Sequence, residues 1–176
     1  MKLKIAVVSA VNNEKVLNEN LLQSALLRSP DTSFFKIENA LNAGQAYNQG
    51  IQLASGVDAD LIIFAHQDVY LPEDWHKNFI MACEHLNNNN IKWGVLGLFG
   101  RKSNGQRVGR VWDSGLDKEL DNRVTNPEQV ETLDELLLVL NNKHDLRFDE
   151  NLPGFHLYGA DICTQATTSK LSLIHI

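Results

Sequence analysis

Residues 61–75 read LIIFAHQDVYLPEDW, an apolar run that turns polar within three residues. The run Leu61–Ala65 fits a strand covered on both faces, as in parallel sheets packed between helices. Such a strand has no packing reason to finish in His66, Gln67 and Asp68. In open α/β sheets, however, ligands bind outside the carboxyl ends of the strands. An imidazole, an amide and a carboxylate at that end mark a candidate site.

Upstream, LKIAVVSAV (3–11) is a second β-branched run, and SFFKIE (33–38) a third, shorter one. Between them, EKVLNENLLQSALLRS carries Val16, Leu17, Leu21, Leu22, Ala25 and Leu26 at helical spacing, with Pro30 just beyond. NAGQAYNQGIQLASG predicts a helix closed by Gly56. Downstream, PEDWHKNFIMACEHLNNNN predicts a helix with Pro72 at its start, two acids in its first turn and a polar exit. KWGVLGLFG (92–100) predicts one more strand, and RKSNGQRVGRVWDSG a hairpin or loop. VETLDELLLVLN fits either a short strand or a helix, and a last helix is expected from Gly159. Strand and helix alternate through the first hundred residues, which predicts a mostly parallel α/β sheet with helices on both faces.

The chain has 176 residues, enough for one domain with a sizeable core. Its formal net charge is −6 and no block of Lys or Arg occurs, which argues against nucleic-acid binding. No apolar stretch approaches the ~20 residues of a membrane span, so no integral membrane segment is expected. The apolar run near the N-terminus leads into Asn12-Asn13-Glu14 without a small-residue cleavage site, and is read as a strand. Cys83 and Cys163 are far apart and lack partner spacing, which argues against a disulfide framework or zinc site. A reducing cytoplasm is the expected location.

Asp68 could hold a hard divalent cation beside a diphosphate, or simply serve as a turn residue ahead of Pro72. His66 could be a site residue, or a strand-end histidine bonded to a backbone carbonyl. A second polar cluster, FDENLPGFHLYGAD, offers Asp149, Glu150, His156, Tyr158 and Asp161 around a Pro-Gly turn. Asp161 precedes an apolar helical stretch, where it could cap the helix or act as a general base. Asp134 and Glu135 in TLDEL could meet an acceptor or face water. The G-x-G-x-x-G, G-x-x-x-x-G-K-[ST] and G-x-S-x-G patterns are all absent, which removes the usual dehydrogenase, ATPase and esterase readings.

From Lys2 to about Ala166 the chain resembles the family 2 glycosyltransferases. Three blocks carry the resemblance: NAGQAYNQGIQLASGVDADLIIFAHQDVYLPEDW, WGVLGLFG, and ETLDELLLVL followed by LRFDENLPGFHLYGADICTQA. The resemblance implies a GT-A, Rossmann-like fold and transfer of a sugar, with inversion, from a nucleoside diphosphate sugar to a hydroxyl acceptor. It places the metal-binding Asp-x-Asp on His66-Gln67-Asp68, as in a bacterial subgroup with this substitution. Asp68 would then contact Mn²⁺ or Mg²⁺, and His66 would replace the first aspartate. Ala10, Asn12, Glu38, Asn39, Asn42, Gly44, His66, Gln67 and Asp68 would face the nucleotide sugar. Asp134 and His156 would face the acceptor. Asp161 would be the base, although the family's Glu-Asp pair upstream falls on Tyr158 and Gly159.

The ending LSLIHI has no place in the family pattern and matches a translated sequencing adaptor; the alternative is a genuine apolar C-terminal strand. The expectation is therefore a single domain over 1–170, a non-native tail over 171–176 and an incomplete C-terminal part. Glycoconjugate or surface-polysaccharide synthesis is the implied setting. The rival is a non-catalytic nucleotide-sugar or carbohydrate-binding domain, motivated by His66 and the missing Glu-Asp pair.

Overall fold

The computed structural model describes residues 3–122 and 126–176. Lys2, where the resemblance begins, lies outside them. The first half runs β1 (Ile5–Ala10), α1 (Glu14–Glu19), β2 (Thr32–Ile37), α2 (Ala43–Gly56), β3 (Leu61–Ala65) and α3 (Trp75–Asn88). Then follow β4 (Trp93–Gly97), β5 (Phe99–Arg101), β6 (Arg107–Asp113), β7 (Lys118–Asn122), β8 (Glu128–Val130) and β9 (Thr132–Leu133). The last elements are β10 (Leu137–Asn141), α4 (Tyr158–Thr168) and β11 (Ser172–His175).

One sheet has seven strands in the order β2-β1-β3-β10-β4-β11-β8, and a smaller one has four in the order β7-β6-β5-β9. β1 pairs in parallel with both β2 and β3, and β4 in parallel with β11. β10 runs antiparallel to β3 and β4, so the centre of the large sheet is mixed. The ambiguous stretch 130–141 forms no helix but is divided among β8, β9 and β10, with a turn at 134–136, and Leu137–Leu140 are buried as a central strand requires.

Alternation along the strands sorts the core into two layers. Val8, Ile62 and Phe64 pack with Ala46, Tyr47 and Ile51 of α2 and Ile162 of α4. Val7, Ile63 and Val139 face the other way, towards Leu17, Phe79 and Leu86. Burying a side chain such as Ile51 contributes about 1.5–3 kcal/mol relative to leaving it exposed.

Three sequence expectations change. The helix expected over 14–29 ends at Glu19 and continues as short 3₁₀ turns, Leu21–Gln23 and Ala25–Arg28. Ser24 adopts an extended backbone between them, and its buried hydroxyl accepts a hydrogen bond from Leu71 N–H at 3.0 Å. A tertiary bond thus outweighs local helical spacing. The strand expected over 92–100 divides at Leu98, with β4 in the large sheet and β5 in the small one. Helix α3 begins at Trp75, so Glu73 and Asp74 precede it. At the other end, Leu173, Ile174 and His175, within the segment set apart as a tail, lie buried in β11 between β4 and β8.

Candidate functional site

The carboxyl ends of β1, β2 and β3 share one edge, because all three run parallel in register. On that edge stand Ala10, Asn12, Glu38, Asn39, His66, Gln67 and Asp68. The chain leaving β3 is shaped by two backbone bonds, His66 N–H to Leu136 O and Val69 N–H to His66 O, both 3.2 Å. Gln67 then joins this turn to the loop after β1. Its amide oxygen accepts from Asn12 N–H at 3.1 Å and Asn13 N–H at 3.0 Å, and its amide nitrogen donates to Asn12 Oδ1 at 2.6 Å. Asn13 in turn caps α1 by accepting from Val16 N–H at 3.2 Å. Beside the loop, Lys36 is paired with Glu14 and, at 3.1 Å, with Glu38. Glu14, and then Glu38, push the Lys36 ammonium above its ordinary value.

Asn42 and Gly44 lie in a different environment. Asn42 caps α2 by accepting from Gln45 N–H at 2.9 Å, and its amide nitrogen donates to Glu150 O at 2.9 Å. Ala43 N–H donates to Gly154 O, and Asn48 exchanges two bonds with the Phe148 backbone, all at 2.9 Å. The turn 148–154 is thereby strapped across the start of α2. A Cβ on Gly44 would stand 2.5 Å from Asp149 O, so only glycine permits this approach. Both Asn42 and Gly44 are buried.

Tyr158, at the start of α4, connects the β3 edge to the second polar cluster. Its hydroxyl donates to Glu135 O at 3.0 Å and lies 2.7 Å from His66 Nε2. A tyrosine has one proton to give and a carbonyl can only accept, so His66 Nε2 is the donor to Tyr158. Nε2 therefore carries a proton, and in the neutral imidazole Nδ1 is the acceptor. Tyr47 donates to the same hydroxyl at 3.4 Å. Burial pushes the Tyr47 hydroxyl up to about 12 and that of Tyr158 well above its ordinary value, so both stay neutral.

A cleft of about 670 Å³ opens beside this network, lined by His66, Arg101, Arg107, Asp134, Glu135 and His156 among others. Its volume suits a small ligand. Burial raises the Glu135 carboxyl above the usual range, against the pull of Leu157 N–H and Gly159 N–H bonds. Asp134 Oδ1 accepts from Leu136 N–H at 2.9 Å, and His156 is exposed. Asp161, the expected base, is absent from the cleft lining. Its Oδ2 accepts from Asp149 N–H at 3.0 Å and from Gln165 Nε2 at 2.9 Å.

Asp68 is exposed and belongs to a second cleft of about 890 Å³, with Tyr70, Trp75, Arg110 and Trp112. Among the described residues, no group of three or more His, Cys, Asp or Glu side chains could hold a metal ion. One free carboxylate still fits Mg²⁺ or Mn²⁺ of the kind bound chiefly by substrate phosphates and water.

Residues 6–174 match the glycosyltransferase-like family. The chain belongs to that family. Similarity to solved structures agrees with this placement and shows the GT-A fold of glycosyltransferases. GalNAc-T7, solved with UDP, GalNAc and Mn²⁺, has a TM-score of 0.67 at 12% identity, covering 99% of this chain and 42% of that one. S. aureus TarS 1-349 in complex with UDP-GlcNAc has a TM-score of 0.59 at 14% identity, covering 99% and 58%. A197 from STIV has a TM-score of 0.56 at 13% identity, covering 99% and 82%. A curated relative, "ATP synthase subunits region ORF 6" of Fuscovulum blasticum, is 33% identical over 109 residues. That match covers 60% of this chain, which spans 44% of the relative's length. Among the described residues, no helix of this glycosyltransferase-like chain is long and apolar enough to cross a membrane.

Sequence reasoning named Gln67 within the His66–Asp68 turn and Tyr158 within the second polar cluster, but not the role of either, and it passed over Arg101 and Arg107. Gln67 acts on the neighbouring loop, Tyr158 orients His66, and Arg101 and Arg107 line the cleft. Only the arginines had a readable signal: Asn104-Gly105 is a hairpin turn that sets the two side by side.

Proposed function

We propose that the chain is a cytoplasmic enzyme transferring a sugar from a nucleoside diphosphate sugar to an acceptor hydroxyl, with inversion, in glycoconjugate or surface-polysaccharide synthesis. One observation carries the reading beyond family membership: Gln67 fastens the loop after β1 to the His66–Asp68 turn. A base-and-ribose surface and a diphosphate-facing carboxylate are thereby one rigid edge. The GalNAc-T7 and TarS structures, which hold UDP or a UDP-sugar on the same fold, support the donor class. Two buried free cysteines fit a reducing compartment.

In this reading Ala10, Asn12, Glu38 and Asn39 contact the nucleoside. His66 stands where the family's first aspartate is expected, and its Nδ1 lone pair accepts a hydrogen bond from a donor hydroxyl. Asp68 would hold a divalent cation, which when bound compensates the charge of the diphosphate. The acceptor oxygen attacks the anomeric carbon, and the bond to the diphosphate breaks with its electron pair leaving on phosphate oxygen. The hydroxyl proton passes to a carboxylate. Asp161 was the sequence candidate, but Glu135 is better placed, since it lines the cleft while Asp161 holds the 148–154 turn.

A melting-temperature screen of UDP-, GDP- and dTDP-sugars with and without Mn²⁺ tests the donor class and selects the nucleotide. Calorimetry with that nucleoside diphosphate then tests Asp68: binding should need Mn²⁺ and weaken at least ~10-fold in Asp68→Ala, about 1.4 kcal/mol. Mn²⁺ alone should bind weakly, because one carboxylate is a poor cage. Equal, metal-independent binding by wild type and variant would remove Asp68 from the site.

A further inference from the structure

The smaller sheet carries a feature that the donor reading leaves unexplained. Arg101 on β5 and Arg107 on β6 are direct cross-strand partners, so their side chains share one face. Like charges placed opposite each other destabilise a strand pair. Neighbouring cations of this sheet are compensated: Lys102 pairs with Glu128, and Arg110 with Glu119. Among the described residues, no carboxylate lies within ion-pairing distance of Arg101 or Arg107. Counter-charges are plentiful, since the chain has 22 acids to 16 Lys and Arg.

Both arginines line the cleft that also holds Asp134 and Glu135, yet neither acid closes onto them. The backbone holds the pair in place. β5 is fixed on its other edge by β9, where Arg101 is the partner of Thr132, and Glu131 N–H donates to Arg101 O at 2.8 Å. Gly109, with φ +129°, lets β6 approach so closely that a Cβ there would stand 2.3 Å from Leu98 O. Two planar guanidinium forks are thus presented from rigid strands with no anion among the described residues to fill them. Guanidinium binds carboxylate and phosphate in bidentate geometry.

Resting on the transferase reading above, we propose that the acceptor carries an anionic group, a carboxylate or a phosphate, held by Arg101 and Arg107. Its reacting hydroxyl then lies in the same cleft, near Glu135. This separates the two anions of the reaction: the donor diphosphate belongs to the β1–β3 edge, and the acceptor anion to the small sheet.

The test is calorimetric titration in the presence of Mn²⁺ and the nucleoside diphosphate selected above. The probes are methyl glucuronide, glucose 6-phosphate and uncharged methyl glucoside. Wild type should bind one of the anionic probes at least ~10-fold tighter than the glucoside. The stronger of the two identifies carboxylate or phosphate as the anion. Arg101→Gln/Arg107→Gln should erase that preference while keeping nucleotide affinity and leaving the melting temperature unchanged or raised, because both side chains are exposed and the like-charge pair is removed. Arg101→Lys/Arg107→Lys, which keeps the charge and loses the forks, should retain only part of it. No anion preference in wild type, or an undiminished preference in the Gln variant, overturns the proposal. So does an equal loss of nucleotide affinity, which would put the arginines on the donor diphosphate. Wild type that binds anionic probes but no nucleoside diphosphate would instead strike the transferase reading itself, and the acceptor role with it.

Discussion

The cleft-bearing edge has two walls built on opposite principles. On the β1–β3 wall and under the 148–154 turn, polar groups satisfy one another: Gln67 with the Asn12 loop, Asn42 and Asn48 with backbone carbonyls. On the small-sheet wall, Arg101 and Arg107 stand side by side without a counter-charge among the described residues. A scaffold gains from closing every hydrogen bond, because an unmet buried donor or acceptor costs about 1–3 kcal/mol. A surface that must receive a charged ligand gains from leaving its donors open. The difference follows the proposed division between residues that shape the site and residues that bind in it.

Three substitutions probe that contrast, the first on the closed wall. Gly44→Ala forces a methyl group against the Asp149 backbone at 2.5 Å and should destabilise the fold by about 3 kcal/mol, read as a lowered urea midpoint. A change under about 0.5 kcal/mol would mean that the strapped turn yields freely. Tyr158→Phe acts at the joint between the walls. It removes the acceptor of His66 Nε2–H and the donor to Glu135 O, and should cost about 1–3 kcal/mol. Nitrogen NMR of the imidazole checks the cause, because the preference for a proton on Nε2 should weaken; an unchanged tautomer would refute the assigned direction of that bond.

The smallest effect is expected on the open wall. Burial raises Glu135 above the ordinary glutamate value of about 4.3, so the folded chain keeps a proton that the unfolded chain has released. The stability this adds is present below that value and fades as pH climbs through the raised one. Glu135→Gln should therefore flatten the fall in stability just above pH 4, measured by urea titrations from pH 4 to 7. Superimposable profiles would show that Glu135 does not titrate in this window.

Much of the fold was legible because burial on both faces leaves an unbroken apolar signature in β1 and β3. Strand direction leaves none. LLLVL is equally apolar whichever way it runs, so the antiparallel insertion of β10 could not be read. Helical spacing over 14–29 misled for a related reason: the Ser24 hydroxyl is recruited by Leu71, 47 residues away. At the site, the polar end of β3 announced itself against its apolar run. The roles of Gln67 and Tyr158 did not, since each depends on a partner at least 54 residues distant.

The place of β10 also sets the order in which the protein can be made. β3 pairs with β1 on one side, but its other neighbour arrives only with residues 137–141. A nascent chain of the first hundred residues holds β1, β2 and β3 with one bare, apolar strand edge exposed to any passing partner. Closing it requires a loop of more than 70 residues, a slow step for a folding chain. The same pairing sets Leu136 O against His66 N–H, so sealing the central edge also draws the 134–136 turn beside the end of β3.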